Sequence, residues 1–360
     1  MHFHLAHKTS RYDKPPAPAQ PVPGTTQFAT GEPGTTINVQ SAVARIENAL
    51  FSPTNRRVAL PLQESAPSRP NLDNLQVQLE QIIDLAGFDG LADVYFQDLE
   101  SGEELHFIYQ LGENLPTDPD VSFTAASAVK IPIMVSVYKR TSGQPSENAQ
   151  ILLEEMIKQS DNPPADALME GVLDQTRGPL IVTEDLRALG LENTFMAGQF
   201  YLGAPLLQTI QTEAQQRDDV NTDPDPYNQT TPLDMGMLLA DIHECSESGG
   251  GALAAVFEGD VTQGECQAMI NLLAENKIAV LLEGGVPDGT RVAHKHGWTT
   301  NPTTGVINTM GDAGIIFTSN GDYVAVIFLY HPVQIVFEPV QEMFGDLSEA
   351  IYNYYTLPRD

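Results

Sequence analysis

The sequence is short of positive charge. Among its 360 residues, 18 Lys and Arg stand against 48 Asp and Glu, so the formal net charge is −30 at pH 7. Nucleic acid and anionic membrane surfaces are repelled by such a chain. We therefore expect no nucleic-acid partner and no strong binding to anionic membranes, whereas 41% hydrophobic residues suffice for a sizeable core.

Cysteine is equally scarce. Cys245 and Cys266 are the only two, which excludes zinc sites built from several cysteines. Their spacing is compatible with one disulfide that closes a short helix-loop-helix, worth about 3 kcal/mol. Two free buried thiols fit the sequence as well. We expect neither a metal nor a cofactor.

Long apolar runs are also missing. No apolar stretch reaches the roughly 18 residues that a membrane-spanning helix requires. The first residues, MHFHLAHKTSRYDK, lack the apolar core of a signal peptide, so the sequence itself does not indicate export.

The chain begins with a segment that cannot form a core of its own. Residues 1–36 are rich in Pro, Gly, Thr and Gln, and we predict a disordered tether there. Its His2, His4 and His7 lack the packed surroundings that orient metal ligands, so we predict no metal site. Residues 37–70 are predicted to form an N-terminal helix and an extension.

The remaining pattern is that of an α+β protein. An amphipathic helix over 71–88 precedes two strand-like runs within 91–110, which the turn sequence ESGE joins into a hairpin. Helical spacing dominates 123–280, strands return over 290–331 around the turn signal NG, and a helix closes the chain. We predict a five-stranded antiparallel sheet flanked by helices, plus a helical subdomain.

A serine and a lysine open the helical part. In FTAASAVKIPIM, Ser127 precedes Lys130 by three residues, so a helical Lys130 could reach the Ser127 hydroxyl and act as its base. Ser136 and Lys139 repeat this spacing. On one helix Ser127 and Ser136 point to opposite faces, and Ser127 lies at the N-terminus, where backbone N–H groups can stabilise an oxyanion. Ser127 is therefore the predicted nucleophile.

Two further short motifs complete an ordered set. The motif SDN occupies residues 160–162 between helical runs, and KHG occupies residues 295–297 on a predicted strand. Each alone has an ordinary explanation, namely helix capping for SDN and a solvated edge charge for the lysine. The order S-x-x-K, S-D-N, K-[T/H]-G is much less expected by chance.

With these motifs, the chain from about Asn71 to Leu357 resembles the penicillin-recognising serine hydrolases, and among them the class A β-lactamases. The phrases DLESGEEL, LRALGLENT, NQTTPLDMGMLLADI and LLEGGVPDGTRVAHKHGW extend the resemblance over most of the chain. It implies a hydrolase domain over 71–360, with the active site between the sheet and the helical part.

The resemblance implies a catalytic role for several of these residues. Ser127 attacks a carbonyl and is acylated, while Lys130 takes its proton, provided that burial and a neighbouring cation such as Lys295 destabilise the Lys130 ammonium. Ser160 passes a proton to the leaving nitrogen. The backbone N–H groups of Ser127 and Trp298 form the oxyanion hole.

It also implies a substrate-binding role for others. Asn162 holds the amide side chain of the substrate, Lys295 and His296 attract its carboxylate, and Gly297 leaves room for it along the strand edge. His296 replaces the usual threonine, and we expect it to strengthen capture of the carboxylate below about pH 6.5, where it would be cationic. Trp298, the lone tryptophan, is expected to line the cleft.

The chain departs from the class A pattern at the residue that activates the deacylating water. That glutamate belongs in an E-x-x-x-N setting between LGLENT and NQTTPLD, yet FMAGQFYLGAPLLQTIQ contains no acid. Glu213, Asp218 and Asp219 lie in the longer loop beyond it, where each fits a solvated loop charge better than a base. We therefore expect slow hydrolysis of the acyl-enzyme and slow release of the product.

The expected function is that of a serine hydrolase that forms an acyl-enzyme on β-lactams or a related amide or ester. A D-alanyl peptidase or esterase on cell-wall-like substrates and a catalytically weak penicillin-binding protein are the alternatives. We expect a small-molecule or peptidyl carboxylate as substrate, a monomeric chain and, by family resemblance, an extracellular or periplasmic location.

Overall fold

The computed structural model describes residues 13–67, 69–110, 112–115, 118–141, 145–300 and 304–358. These residues separate into two units, one drawn from residues 1–79 with 350–360 and the other from residues 80–349. The boundary predicted at residue 71 differs from this division, because residues 71–79 and the C-terminal residues belong with the N-terminal unit.

The N-terminal unit is built from short antiparallel pairs and helices. Its first elements are β1 (Gln20–Pro21), β2 (Phe28–Ala29), β3 (Gly34–Ile37), α1 (Val39–Phe51) and β4 (Leu62–Ser65). Strand β1 pairs with β2, and β3 pairs with β4. Helix α2 follows over Leu72–Ala86.

The tether predicted over residues 1–36 differs from the structure in its described part. Although the segment has no core of its own, its backbone groups are paired: Lys14 bridges Thr35, and Ala17 bridges Glu32. Paired N–H and C=O groups give a Pro-rich segment a defined path without a hydrophobic core. Residues 1–12, with the histidines named above, lie outside the described residues.

The larger unit is organised around an antiparallel sheet. Its strands, in chain order, are β5 (Leu91–Asp98), β6 (Glu104–Gln110), β7 (Glu113–Asn114), β8 (Phe123–Thr124), β9 (Phe195–Met196), β10 (Asn228–Thr230), β11 (Arg291–Thr300), β12 (Ile307–Thr318) and β13 (Gly321–Ile335). The main sheet has the order β11-β12-β13-β5-β6-β7. The predicted five strands are thus confirmed, and the two-residue β7 extends the sheet at the edge opposite β11.

Helices supply the rest of the unit. They are α3 (Lys130–Thr141), α4 (Glu147–Lys158), α5 (Asn162–Leu168), α6 (Gly178–Ala188), α7 (Pro232–Ser248), α8 (Gly251–Val256), α9 (Gln263–Leu273) and α10 (Phe337–Tyr355). The last residues of α10, from Ala350 onward, belong to the N-terminal unit. Helix α3 is buried on nearly all sides, because its residues from Ile131 to Val137 are mostly apolar. Among the described residues, no helix is both long and apolar enough to span a membrane.

A second, small sheet was not predicted from the sequence. Strand β10 pairs with both β8 and β9, so three separate parts of the chain meet there. Strands of two or three residues leave little alternation of polar and apolar residues to detect. The small sheet matters because β8 leads directly into Ser127, and β9 begins the loop that reaches Lys130.

Cys245 on α7 and Cys266 on α9 form a disulfide, and both residues are fully buried. Helix α9 begins with a capping box in which the Thr262 hydroxyl and the Glu265 carboxylate satisfy the free N–H groups of the first turn. The disulfide therefore joins α7 to a helix whose first turn is already capped.

We predict that the Cys245→Ser/Cys266→Ser variant folds but loses about 3 kcal/mol of stability, because the unfolded chain regains the entropy of an open loop. Urea unfolding, followed through the fluorescence of Trp298, measures this loss. The control is the wild-type chain with and without reductant. An unchanged unfolding midpoint in the variant would contradict the prediction.

Candidate active site

Ser127 lies on a tight turn rather than in the α-helix itself. Residues Ala126–Val129 form a 3₁₀ turn that continues into α3 at Lys130. Ala126 has a φ of 49°, a left-handed conformation that costs energy for a residue with a Cβ atom. This strained residue immediately precedes Ser127, which is partly exposed, so the turn presents the hydroxyl to solvent.

The amine of Lys130 is fully buried beside that hydroxyl. Its Nζ lies 3.0 Å from Ser127 Oγ, 2.6 Å from the backbone oxygen of Ser160 and 2.8 Å from Asn162 Oδ1. Burial, helped by the nearby charge of Lys295, lowers the pKa of Lys130 to about 7. A large fraction of this lysine is therefore neutral near pH 7 and can accept the Ser127 proton.

A second buried lysine holds Ser160. Lys295 Nζ donates to Ser160 Oγ at 2.8 Å and to the backbone oxygen of His296 at 3.1 Å. Burial lowers the pKa of Lys295 to about 8, although the Asp312 carboxylate opposes this shift. Ser160 has a φ of 62°, so a second non-glycine residue of the site adopts the left-handed conformation.

Strand β11 passes directly in front of the Ser127 turn. A Cβ atom added to Gly297 would lie 2.5 Å from the backbone nitrogen of Ser127 and 3.0 Å from that of Ala128, so only glycine fits. Strand β11 is an edge of the described sheet. The structure thus brings together five of the sequence-predicted residues, namely Ser127, Lys130, Ser160, Asn162 and Lys295, with Gly297 beside them.

His296 is the first correction to the predicted site. Its side chain is only 1% exposed, and its Nδ1 lies 3.4 Å from the side-chain amide of Asn276. Burial, with the charge of Lys295, lowers its pKa to about 3. The expectation of a cationic His296 below pH 6.5 is therefore wrong, because a buried ring beside an ammonium group is held neutral.

Trp298 is the second correction. Its indole ring stacks on the His296 ring, with centroids 5.2 Å apart, and meets Phe337 edge to face. Alternate residues of a strand face opposite ways, so Trp298 and His296 share the face away from Lys295 and Gly297. The indole therefore does not line the cleft, although the backbone N–H of Trp298 immediately follows Gly297.

The second Ser-Lys pair has other partners. Ser136 is buried in the middle of α3, and its hydroxyl has no hydrogen-bond partner among the described residues. Lys139 donates to Asp185 at 2.7 Å, and its amine lies over the Phe257 ring. Lys139 therefore belongs to an ion pair with Asp185, and Ser136 belongs to the buried core around α3.

Phe200 was missed by the sequence reasoning. Its ring centre lies 5.3 Å from Lys130 Nζ, and its backbone N–H donates to Asp166 Oδ1 on α5 at 2.8 Å. The neighbouring Gln199 donates to Glu170 at 3.3 Å. The Phe200 ring therefore lies over the lysine amine. It belongs to the acid-free stretch 195–211, in which the class A pattern predicts a glutamate. An alternation or helix pattern could not have indicated it, because the stretch is an irregular loop.

The family model described as "Beta-lactamase enzyme family" matches residues 146–355, more than half of the chain. The chain belongs to this β-lactamase enzyme family. The matched range contains residues 160–162 and 295–297 but begins after Ser127 and Lys130, whose pairing rests on the geometry above.

Solved structures share the fold of this β-lactamase-family chain. PBP-A is 21% identical, with a TM-score of 0.54 over 81% of this chain and 99% of its own. A β-lactamase from Desulfarculus baarsii is 16% identical, with a TM-score of 0.56 over 80% and 100%. One from Sphaerobacter thermophilus is 18% identical, with a TM-score of 0.56 over 81% and 100%. No curated protein matches the chain.

Three acidic residues follow the acid-free stretch 195–211, namely Glu213, Asp218 and Asp219. Glu213 directly precedes the 3₁₀ turn Ala214–Gln216, and the side chains of Glu213, Asp218 and Asp219 are exposed. Asp219 forms an ion pair with Arg217 at 2.7 Å. Each has the surroundings of a solvated loop charge.

We predict that covalent labelling of Ser127 by a fluorophosphonate becomes faster as the pH rises through about 7, because the Lys130 amine loses its proton there. The charge of Lys295 helps to lower the Lys130 pKa, so Lys295→Gln should move the midpoint to higher pH. Labelling rates measured between about pH 5 and pH 10 test both statements. A profile that rises only near the ordinary lysine pKa of about 10.4 would contradict them.

Proposed function

We propose that the protein is a serine hydrolase that opens β-lactams, or a related amide or ester, through an acyl-enzyme on Ser127 and that it releases the product slowly. The observation that supports acylation of Ser127 is the contact between Ser127 Oγ and the buried Lys130 amine at 3.0 Å. Family membership supports the reaction class, and the fold shared with β-lactamases agrees with it.

In the acylation step, neutral Lys130 takes the Ser127 proton, and Ser127 Oγ forms a bond to the substrate carbonyl carbon. The backbone N–H groups of Ser127 and Trp298 are the proposed donors to the oxyanion. The carbon–nitrogen bond then breaks, and the leaving nitrogen takes the hydroxyl proton of Ser160. The Lys295 ammonium, 2.8 Å from Ser160 Oγ, stabilises the resulting alkoxide, which then takes up the proton that Lys130 removed from Ser127.

Binding of the substrate follows from the same groups. Lys295 is cationic below its pKa of about 8 and is the proposed partner of a substrate carboxylate. Asn162 already accepts a hydrogen bond from Lys130 through Oδ1, so its NH₂ group is the part that would donate to a substrate amide. Because His296 is buried and neutral, we assign it no contact with substrate.

Slow release is proposed from the surroundings of Lys130. Hydrolysis of the ester needs a water activated by a base, and Phe200, in the acid-free stretch 195–211, places an aromatic ring beside the amine. A leucine-to-glutamate mutant of PBP-A is described as an acyl-enzyme complex with penicillin G. Penicillin is therefore a reasonable acylating agent for this chain as well. Phe200 favours the second candidate function, that of a penicillin-binding protein with weak turnover.

The location proposed is outside the cytoplasm. The support is the buried disulfide between α7 and α9, since disulfides persist in oxidising compartments. A periplasmic or extracellular enzyme also meets β-lactams and cell-wall peptides before a cytoplasmic one does.

We predict that Ser127→Ala abolishes covalent labelling by a penicillin, whereas Ser136→Ala leaves it intact. The reason is that only Ser127 contacts Lys130, while the Ser136 hydroxyl is buried without a partner among the described residues. Mass spectrometry of the intact protein after incubation measures the adduct. Equal loss in two folded variants would contradict the assignment of the nucleophile.

We predict that wild-type protein gives a burst of about one product per chain with a chromogenic cephalosporin, followed by slow turnover. Phe200→Glu should accelerate the slow phase by about a hundred- to ten-thousand-fold, because it places a carboxylate beside Lys130. Stopped-flow absorbance measures both phases.

Phe200→Gln is the matched control, since it has the same length as glutamate but no basic group. It should keep the slow phase of the wild type. Equal acceleration by both variants would show that the ring merely blocks water. Fast linear turnover of the wild type would show that another base, such as Glu213, reaches the site.

A further inference from the structure

A cluster of metal-ligand types lies on the face of β11 away from Ser127. His294 and His296 come from β11, and Asp312 stands opposite His296 on β12. One potential ligand atom from each of the three lies within 4.8 Å of the other two, and all three residues are buried. The cluster uses only neighbouring strands of one sheet, so its geometry is fixed by their register.

The cluster is already arranged to hold positive charge. His294 Nδ1 lies 2.8 Å from one Asp312 oxygen and 3.0 Å from the other, and the backbone N–H of Leu282 donates to Asp312 Oδ2. His294 Nε2 lies 3.2 Å from Glu283 Oε2. Each ring nitrogen of His294 therefore lies beside a carboxylate, Asp312 on one side and Glu283 on the other.

We propose that His294, His296 and Asp312 form a Zn²⁺ site, with Glu283 as the outer partner of His294. Two imidazoles and a carboxylate are ligands that zinc prefers, and they leave a fourth position for water. A carboxylate on the far nitrogen of a ligating histidine is the usual partner that fixes the ring. Zn²⁺ takes the place of the proton between His294 Nδ1 and Asp312, and that proton passes to solvent.

The position of the ligands gives the ion a structural consequence. Zinc–ligand bonds of about 2.0–2.2 Å require ligand atoms roughly 3–4 Å apart. His294 Nδ1 and Asp312 Oδ2, which are 2.8 Å apart, would separate slightly, and the widest of the three pairs, within 4.8 Å, would approach by about 1–2 Å. The bound ion would link β11 to β12 directly behind Lys295 and Gly297. Glu283 has a partly exposed side chain, which gives solvent a way to the His294 end of the cluster. The net charge of −30 favours accumulation of cations near the protein.

Trp298 provides a local readout. It is the only tryptophan of the chain, and its ring stacks on the His296 ring with centroids 5.2 Å apart. Co²⁺ substitutes for Zn²⁺ in such sites, absorbs visible light according to its geometry, and quenches a nearby indole. Quenching of Trp298 together with the visible bands therefore reports an ion held next to the His296 ring.

The test titrates Co²⁺ into chelator-treated full-length protein at about pH 8, where competition by protons is reduced. It is done with the wild type and with His2→Ala/His4→Ala/His7→Ala, which removes the other group of histidines. We expect one Co²⁺ per chain in the triple variant, with quenched Trp298 fluorescence and visible bands that Zn²⁺ abolishes. His294→Gln should weaken binding by more than about 100-fold, and Glu283→Gln by about 10- to 100-fold.

His243→Gln is the matched control. His243 also pairs with a carboxylate, Asp322, at 3.0 Å, but among the described residues it belongs to no three-residue cluster of possible metal ligands. Its affinity should equal that of the wild type. Absence of Co²⁺ binding in the triple variant would overturn the proposal, as would binding without quenching of Trp298. If His294→Gln fails to fold, Glu283→Gln is the deciding variant, because Glu283 is partly exposed. An unchanged Co²⁺ affinity in Glu283→Gln would overturn the proposed arrangement. Acylation of Ser127 is measured separately, so the two proposals fail independently.

Discussion

The burial of two lysine amines is the constraint on which the site depends. Lys130 and Lys295 both have 0% exposure, and burying an ammonium group costs several kcal/mol unless its donors are satisfied. Lys130 has three acceptors, and Lys295 has two. The residual cost appears as lowered pKa values, and a lysine that loses its proton near pH 7 is a usable base. The same burial that destabilises the charge therefore gives Lys130 the pKa that its proposed role as a base requires.

These acceptors explain why the SDN motif lies where it does. The backbone oxygen of Ser160 and the Oδ1 of Asn162 both face Lys130, and this arrangement requires a left-handed φ at Ser160 just before α5. Such a conformation costs about 1–3 kcal/mol for a residue with a side chain and persists only where its surroundings impose it. Strain at Ala126 on the other side of the cleft has the same character. The site is therefore positioned by its backbone as much as by its side chains.

The alternation of β11 separates two environments that the sequence presents as one motif. Lys295 and Gly297 face Ser160 and Ser127, whereas His294, His296 and Trp298 face the other way. Lys295, His296 and Gly297 cannot all face the substrate, because alternate side chains of a strand point to opposite faces. The error for His296 and Trp298 could have been avoided from the strand pattern alone, because a residue beside an inward-facing lysine on a strand points outward.

Much of the fold was predictable because the long elements carry clear patterns. Strands β5, β6, β11, β12 and β13 have apolar runs and turn signals, and the confirmed sheet follows from them. The polar pairing of residues 13–36 and the two-residue strands β8 and β9 were not predictable. Residues 13–36 are held by backbone pairing within the segment itself, and β8 and β9 are held by pairing with the distant β10. Neither arrangement leaves a local pattern of polar and apolar residues. Phe200 escaped prediction for the same reason, since its place over Lys130 depends on a loop anchored by Asp166.

That anchoring separates the two halves of the proposed reaction. The groups proposed for acylation lie on the Ser127 turn, at the start of α3, on the residues that lead into α5 and on β11. Phe200, the group proposed to face the deacylating water, lies instead on an irregular loop, in which Phe200 donates to Asp166 and Gln199 donates to Glu170. Loops tolerate substitution better than the elements that they connect. In the proposed reaction, an aromatic residue in this loop therefore affects release of the acyl group without disturbing the nucleophile.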